Sequence, residues 1–191
     1  MKKDLQNTIR IAGIVKGLYR IGSSNENELS SAIEDFAKVT QNIKWSLAGG
    51  LAVGFHSQPR GTQDIDIIIE NEQTIHIIEQ LTKNKFNKHR PHALEHKKTG
   101  VEVEILTADF LGIDPKIVNI AIKNSTIQKI GKTYIPVLDE AGLITMKLQR
   151  SSRQDLADIE AILKHNPNVN VSVYPLTNKQ KQIFDEIKRE I

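Results

Sequence analysis

Apolar positions fall into two periods along the chain, and these set the expected elements. Residues 4–21 place Leu5, Ile9, Ala12, Val15 and Leu18 at helical spacing, and residues 27–41 do the same with Leu29, Ile33, Phe36 and Val39. Two opening helices are therefore predicted, with a break at Ser24-Asn25. The period then shortens. Trp45 to Ala48 reads as a short strand, and Gly49-Gly50 leads into a small-residue helix from about Leu51 to His56. Gln58-Pro59-Arg60-Gly61 is punctuated as a loop. The β-branched run Asp64 to Glu70 predicts a strand, and residues 72–83 a helix. Phe86 to His96 is ambiguous between periods, with a hairpin arm as one reading. Val101 to Leu106 alternates cleanly, as a half-buried strand does, and residues 126–137 suggest two short strands around Gly131-Lys132. Helices are predicted over Asp139 to Arg150, Arg153 to His165 and Thr177 to Ile191. Interspersed helices and strands give an α/β or α+β fold class.

The 191 residues suit one domain with helical additions. The expected division is N-terminal helices over 1–42, an α/β core over 43–137 and a C-terminal helical segment over 138–191, packed as one unit. No apolar run approaches the roughly 20 residues that span a bilayer, so no membrane association is expected. Nor does the N-terminus show a signal-peptide core. The absence of cysteine excludes disulfides, thiolate zinc sites and a cysteine nucleophile, and it suits a cytoplasmic location. With 26 Lys and Arg against 23 Asp and Glu, the net charge of +3 permits an anionic partner without arguing for one. The basic residues read as spread along the chain.

Chemistry concentrates in a few places. Asp64 and Asp66 are two apart on a strand, so their side chains share a face, with roughly 7 Å between Cα atoms. Such a pair can converge on a hard divalent cation, or it can be a strand cap beside a solvated acid. Gly49-Gly50 at a strand-to-helix turn lets an anion approach backbone N–H groups, or simply makes a tight turn. Glu102 and Glu104 share one face of their strand; if it lies beside 64–70, a third carboxylate becomes available. In 143–151, Leu143, Ile144, Met146 and Leu148 form an apolar arc with Lys147 near its centre and Arg150 inside it. A lysine there either snorkels or faces a negative partner such as phosphate. On the following helix Asp155 lies within the apolar arc and Asp158 at its edge. That suggests an ionic network positioning the basic groups, or a salt bridge locking two helices. Asp139-Glu140 reads as a helix cap. His89, His92 and His96 have many basic neighbours, which favours a solvated loop facing RNA or phosphate over a zinc site. No aromatic interleaving marks single-strand recognition.

The run Leu47-Ala48-Gly49-Gly50, then 13 residues, then Asp64-Ile65-Asp66, resembles the hGG…DxD signature of the nucleotidyltransferase superfamily, with its DNA polymerase β-like fold. Leu-Ala-Gly-Gly-Leu-Ala-Val and Arg-Gly-Thr-Gln-Asp-Ile-Asp resemble its minimal bacterial branch, which includes abortive-infection toxins. Lys147, Arg150, Arg153, Asp155 and Asp158 are similar to that branch's late helical motif. The similarity covers about residues 45–164. It implies a mixed β-sheet flanked by helices. It also implies transfer of a nucleotidyl group from an NTP (ATP or GTP among them) to a hydroxyl of RNA, tRNA, protein or a small molecule. Asp64, Asp66 and Glu104 would hold Mg²⁺ or Mn²⁺. Gly49, Gly50 and Lys147 would bind the triphosphate, with Arg60, Thr62 and Arg150 beside it. Asp155, Asp158 and Arg153 would support them. A role as a toxin with a cognate antitoxin is part of the same implication. The third acid is Glu where Asp is commoner, and Gln154 precedes Asp155 where Lys is frequent. The alternative is a degenerate module of this fold that binds nucleotide or a partner without turnover. A phosphohydrolase with an Asp nucleophile fits poorly, because the aliphatic run follows the acids here.

Overall fold

Alternation in two neighbouring strands sets the middle of the sheet. In β2 (Asp64–Ile69), Ile65, Ile67 and Ile69 are fully buried on one face, while Asp66 and Ile68 point to the other. In β5 (Glu102–Leu106), Val103 and Ile105 are buried and Glu102 and Glu104 half-buried. The computed structural model describes residues 25–58 and 61–191; the helix expected over 4–21 and the residue Arg60 lie outside them.

Helix α1 (Asn25–Val39) is followed by β1 (Trp45–Leu47), α2 (Gly49–His56), β2, a 3₁₀ turn (Asn71–Gln73) and α3 (Thr74–Lys83). A hairpin of β3 (Phe86–Arg90) and β4 (Ala93–His96) precedes β5. Next come α4 (Ala108–Leu111), α5 (Pro115–Lys123), the hairpin β6 (Thr126–Ile130) and β7 (Thr133–Val137), and helices α6 (Glu140–Arg150), α7 (Arg153–His165) and α8 (Asn178–Glu190). The strands form one mixed sheet in the order β3-β4-β5-β2-β1-β7-β6. β2 and β5 are parallel, with Asp64 opposite Glu102 and Asp66 opposite Glu104. β1 runs antiparallel to β2 and parallel to β7.

Both faces are covered. Phe36 of α1 meets Trp45 edge-on at 5.0 Å and Phe86 at 6.3 Å, closing the isoleucine face. On the acid-bearing face, Ser125 after α5 donates its hydroxyl to that of Ser46 at 2.8 Å, and α2 packs against β2, α6 and α7. The terminal helix α8 starts at a Thr177/Gln180 capping box and buries Phe184 in the same apolar cluster, with Ile183 and Ile187 alongside.

Three expectations change. The segment 86–96 takes the hairpin reading, and His96, expected in a solvated loop, is fully buried, packed on Phe86 at 5.1 Å. The helix after β1 begins at Gly49. Residues 108–123, unassigned by periodicity, hold two helices whose starts are fixed by Thr107 and Asp114 caps.

Candidate active site

The turn from β1 into α2 sets one wall of a cleft. Ala48 is the N-cap of α2 and makes no side-chain cap bond, so the first N–H groups of the helix are left for a ligand or water. Its own N–H donates to the Asp66 carbonyl at 2.8 Å, fastening the turn to β2. Gly49 has φ +60°, and a Cβ there would lie 1.6 Å from Asp66 Oδ2. Only glycine admits both the backbone conformation and the carboxylate beside it.

The cleft measures about 570 Å³ out to its open mouth. Asp66 and Glu104 line it from the sheet, and Lys147, Arg150 and Asp155 from α6 and α7. Burial, then the charges of Asp64 and Glu104, push the Asp66 carboxyl up to about 6, against the pull of Lys147 and Arg150. Negative charge is thus crowded on one side of the cleft.

The opposite side is a wired cationic network. Lys147, buried within the apolar stripe of α6, donates to Asp158 at 2.6 Å and stands 3.5 Å from Asp155. Arg150 places Nε and one terminal nitrogen on Asp155 at 3.2 and 2.9 Å. Its side chain is 66% exposed, so the rest of the guanidinium faces outward. The hydrogen bond from Arg150 to Asp155, together with nearby acid charge, holds the guanidinium pKa above its ordinary value against burial. Burial pushes the Asp155 carboxyl up, but hydrogen bonds from Arg150 and Ser152 and the charges of Arg150 and Lys147 outweigh it and leave it below the usual carboxylate range. Asp155 also completes the capping box that starts α7.

Among the sequence candidates, Gly49, Asp66, Glu104, Lys147, Arg150 and Asp155 come together around the cleft. Gly50 is buried one residue further into α2, and Asp158 lies behind Lys147. Asp64 is exposed at the start of β2, where its carboxylate accepts the Thr62 hydroxyl at 2.7 Å; neither residue lines the cleft. Arg153 is exposed on α7, also off the cleft lining. Glu102 is engaged elsewhere, by Arg90 and by His89 at 3.5 Å. The sequence reading placed Leu143 and Met146 in the apolar arc around Lys147, but missed Leu106, Leu111 and Ile113, which complete an apolar wall with them, and the polar Gln149 beside it. The Asp114-Pro115 start signal could have disclosed α5, which follows Leu111 and Ile113.

No group of three or more His, Asp or Glu side chains among the described residues is gathered closely enough to hold a metal ion by itself. The oxygen donors of Asp66 and Glu104, with Asp64 beside Asp66, suit a hard divalent cation that takes its remaining ligands from phosphate and water. No described helix is long and apolar enough to cross a membrane.

No protein-family model matches the sequence, and no curated protein matches it. Solved structures do. The chain is similar to an antigenic nucleotidyltransferase-like protein from Paracoccidioides brasiliensis, with TM-score 0.60 and 18% identity, covering 86% of this chain and 88% of that one. It is also similar to ANT(2")-Ia solved with adenylyl-2"-tobramycin, with TM-score 0.51 and 9% identity, covering 85% and 98% respectively. These likenesses show the fold: a nucleotidyltransferase-like mixed sheet flanked by helices.

Proposed function

We propose that the chain is a metal-dependent nucleotidyltransferase that moves an NMP from an NTP to a hydroxyl acceptor. The observation that carries this is the pairing of Asp66 with Glu104 in register on one wall of a cleft, opposite a guanidinium pinned by Asp155. A triphosphate would lie between them, reaching out through the open mouth of the cleft. Its anionic oxygens would meet the outward N–H groups of Arg150 and the N-terminus of α2, with Lys147 and Asp158 fixing the potential from behind.

Asp66 and Glu104 would hold Mg²⁺ or Mn²⁺, with Asp64 turning from Thr62 to join them; the ion would supply charge neutralisation on the phosphates and lower the pKa of the acceptor hydroxyl. Asp66 would work ionised, since its oxygens are needed as donors. Glu104 faces the same cleft and would receive the proton that the acceptor releases. The acceptor oxygen forms a bond to the α-phosphorus as the bond to the β-phosphate breaks, and pyrophosphate leaves. Gly49 would keep the Asp66 carboxylate and the α2 turn in contact through these steps.

The test is incubation with each α-³²P-labelled NTP, Mg²⁺ or Mn²⁺, and a mixture of total RNA, protein and small hydroxyl acceptors. Asp66→Ala serves as control. Label transferred by the parent alone is the expected result. No transfer, with no calorimetric binding of Mg²⁺-NTP, would overturn the reading and leave a degenerate module of the fold.

A further inference from the structure

Among the described residues that line the cleft, Gln149 is the polar side chain that the chemistry above leaves without a role. It stands one turn after Met146 on α6, so it borders the apolar wall of Leu106, Leu111, Ile113, Leu143 and Met146. Arg150 leaves the same helix about 100° further round. The phosphates go with Arg150, and the apolar wall suits the flat face of a nucleobase.

The polarity of the Gln149 amide is set from α8. That helix begins with a capping box in which Gln180 Oε1 accepts from the Thr177 N–H at 2.9 Å and from its hydroxyl at 3.0 Å. The oxygen end of the Gln180 amide is thus committed to the cap. Its Nε2 donates to Gln149 Oε1 at 2.9 Å and to the Leu148 carbonyl at 3.4 Å. Gln149 in turn donates one Nε2 hydrogen to the Thr145 carbonyl at 3.0 Å. Turning the Gln149 amide over would set nitrogen against nitrogen at one end and oxygen against oxygen at the other. One N–H of Gln149 is left, and no described residue accepts it. Neither Gln180 nor Thr145 lines the cleft, whereas Gln149 does, so the spare N–H is what this amide offers a ligand.

We infer that Gln149 is a specificity-determining residue that reads the base of the bound nucleotide, selecting an exocyclic carbonyl (guanine, uracil) over an exocyclic amine (adenine, cytosine). A ribose hydroxyl can turn to give or to take a hydrogen bond, and a phosphate oxygen accepts from any donor. An amide of fixed polarity discriminates only between groups of fixed polarity. On a nucleotide those lie on the base edge: O6 of guanine and O4 of uracil accept, whereas N6 of adenine and N4 of cytosine donate. An exocyclic amine against the spare N–H leaves two donors face to face. Gln180 touches no ligand and acts as a positioning residue. The inference rests on the nucleotidyltransferase reading and adds to it which nucleotides the site takes.

The test is calorimetric titration of the full chain with GTP, ATP, UTP and CTP in Mg²⁺, without acceptor. In each pair that binds, GTP over ATP or UTP over CTP, the carbonyl-bearing member is expected to be held about tenfold tighter. Gln149→Leu keeps much of the volume and is expected to bring the two members within about twofold of each other. Gln180→Glu keeps an oxygen for the Thr177 cap but turns a second oxygen to Gln149, which favours the inverted amide. The preference is expected to shrink roughly threefold or more, through a residue with no ligand contact. A role limited to tying α6 to α8 would move melting temperatures and all affinities together and leave these ratios alone. Equal affinities within every pair, a parent that prefers ATP or CTP, or a parent-like ratio in Gln149→Leu overturns the inference. An unchanged ratio in Gln180→Glu overturns the positioning role. Selective binding with no transfer of α-³²P label to any acceptor sinks the enzymatic reading alone. Transfer from all four NTPs with equal kcat/KM sinks the base-reading alone, and binding of none of the four overturns both.

Discussion

Replacing Asp66 by Asn is expected to make the ligand-free protein more stable at neutral pH while abolishing transfer. The carboxyl is pushed from 3.8 to about 6 by burial and by its neighbours Asp64 and Glu104. The folded chain therefore holds the Asp66 proton more tightly than the unfolded chain does. The stability linked to it is fully present below pH 3.8 and is lost as pH rises through about 6. The gap between the two values corresponds to roughly 3 kcal/mol, an upper figure because the folded site can relax. An asparagine keeps the shape, carries no charge and can donate to the adjacent acids. The assay is thermal unfolding in EDTA from pH 4 to 8. The parent is expected to lose stability between about pH 4 and 6, levelling off above, whereas Asp66→Asn shows a much weaker dependence. At pH 8 the variant is expected to melt about 6 to 12 °C higher. Mg²⁺ is expected to raise the melting temperature of the parent more than that of the variant. A variant less stable than the parent at pH 8, together with a parent insensitive to pH over this range, would refute the crowding argument.

Other positions test the rest of the site. Gly49→Ala forces a Cβ against Asp66 Oδ2 at a positive φ and is expected to cost about 2 kcal/mol or more, seen as a lower urea midpoint. Asp158→Ala removes the 2.6 Å partner of buried Lys147, and about 3 kcal/mol of stability is expected to go with it; Asp155, 3.5 Å away, keeps the loss from being larger. Arg150→Lys loses the two-point contact with Asp155, and steady-state kinetics are expected to show about a tenfold higher KM for NTP with little change in stability.

Much of this site can be read from spacing. Alternation puts Asp66 opposite an isoleucine face, and it puts Glu104 on one face of its own strand. A helical wheel places Lys147 inside an apolar arc, where it is indeed buried. The same wheel turns Asp155 and Asp158 inward as partners, but which of them takes the ammonium depends on how α6 and α7 turn about Ser151 and Ser152. Sharing a strand face does not make Asp64 equivalent to Asp66: the strand begins at Asp64, so its carboxylate stands exposed and bonded to Thr62. The basic neighbours of His96 suggest a solvated loop, but its place on β4 turns it onto Phe86. The contact of His92 with Phe110 joins residues 18 apart through the path of β5, and no local pattern encodes it.

Asp155 starts a helix, holds Arg150 and stands near Lys147, all through one carboxylate. The acid cluster across the cleft is its opposite, a source of strain that a single neutral substitution relieves. If the chain works as proposed, loss of activity by substitution is expected to be asymmetric. A lineage relieved of selection for activity would lose Asp66 early, because its neutralisation tightens the fold. The basic network would persist long afterwards as a structural relic. In descendants of this chain, an intact Lys147–Asp158 pair would be a poor sign of a working enzyme, and an intact Asp66 a good one.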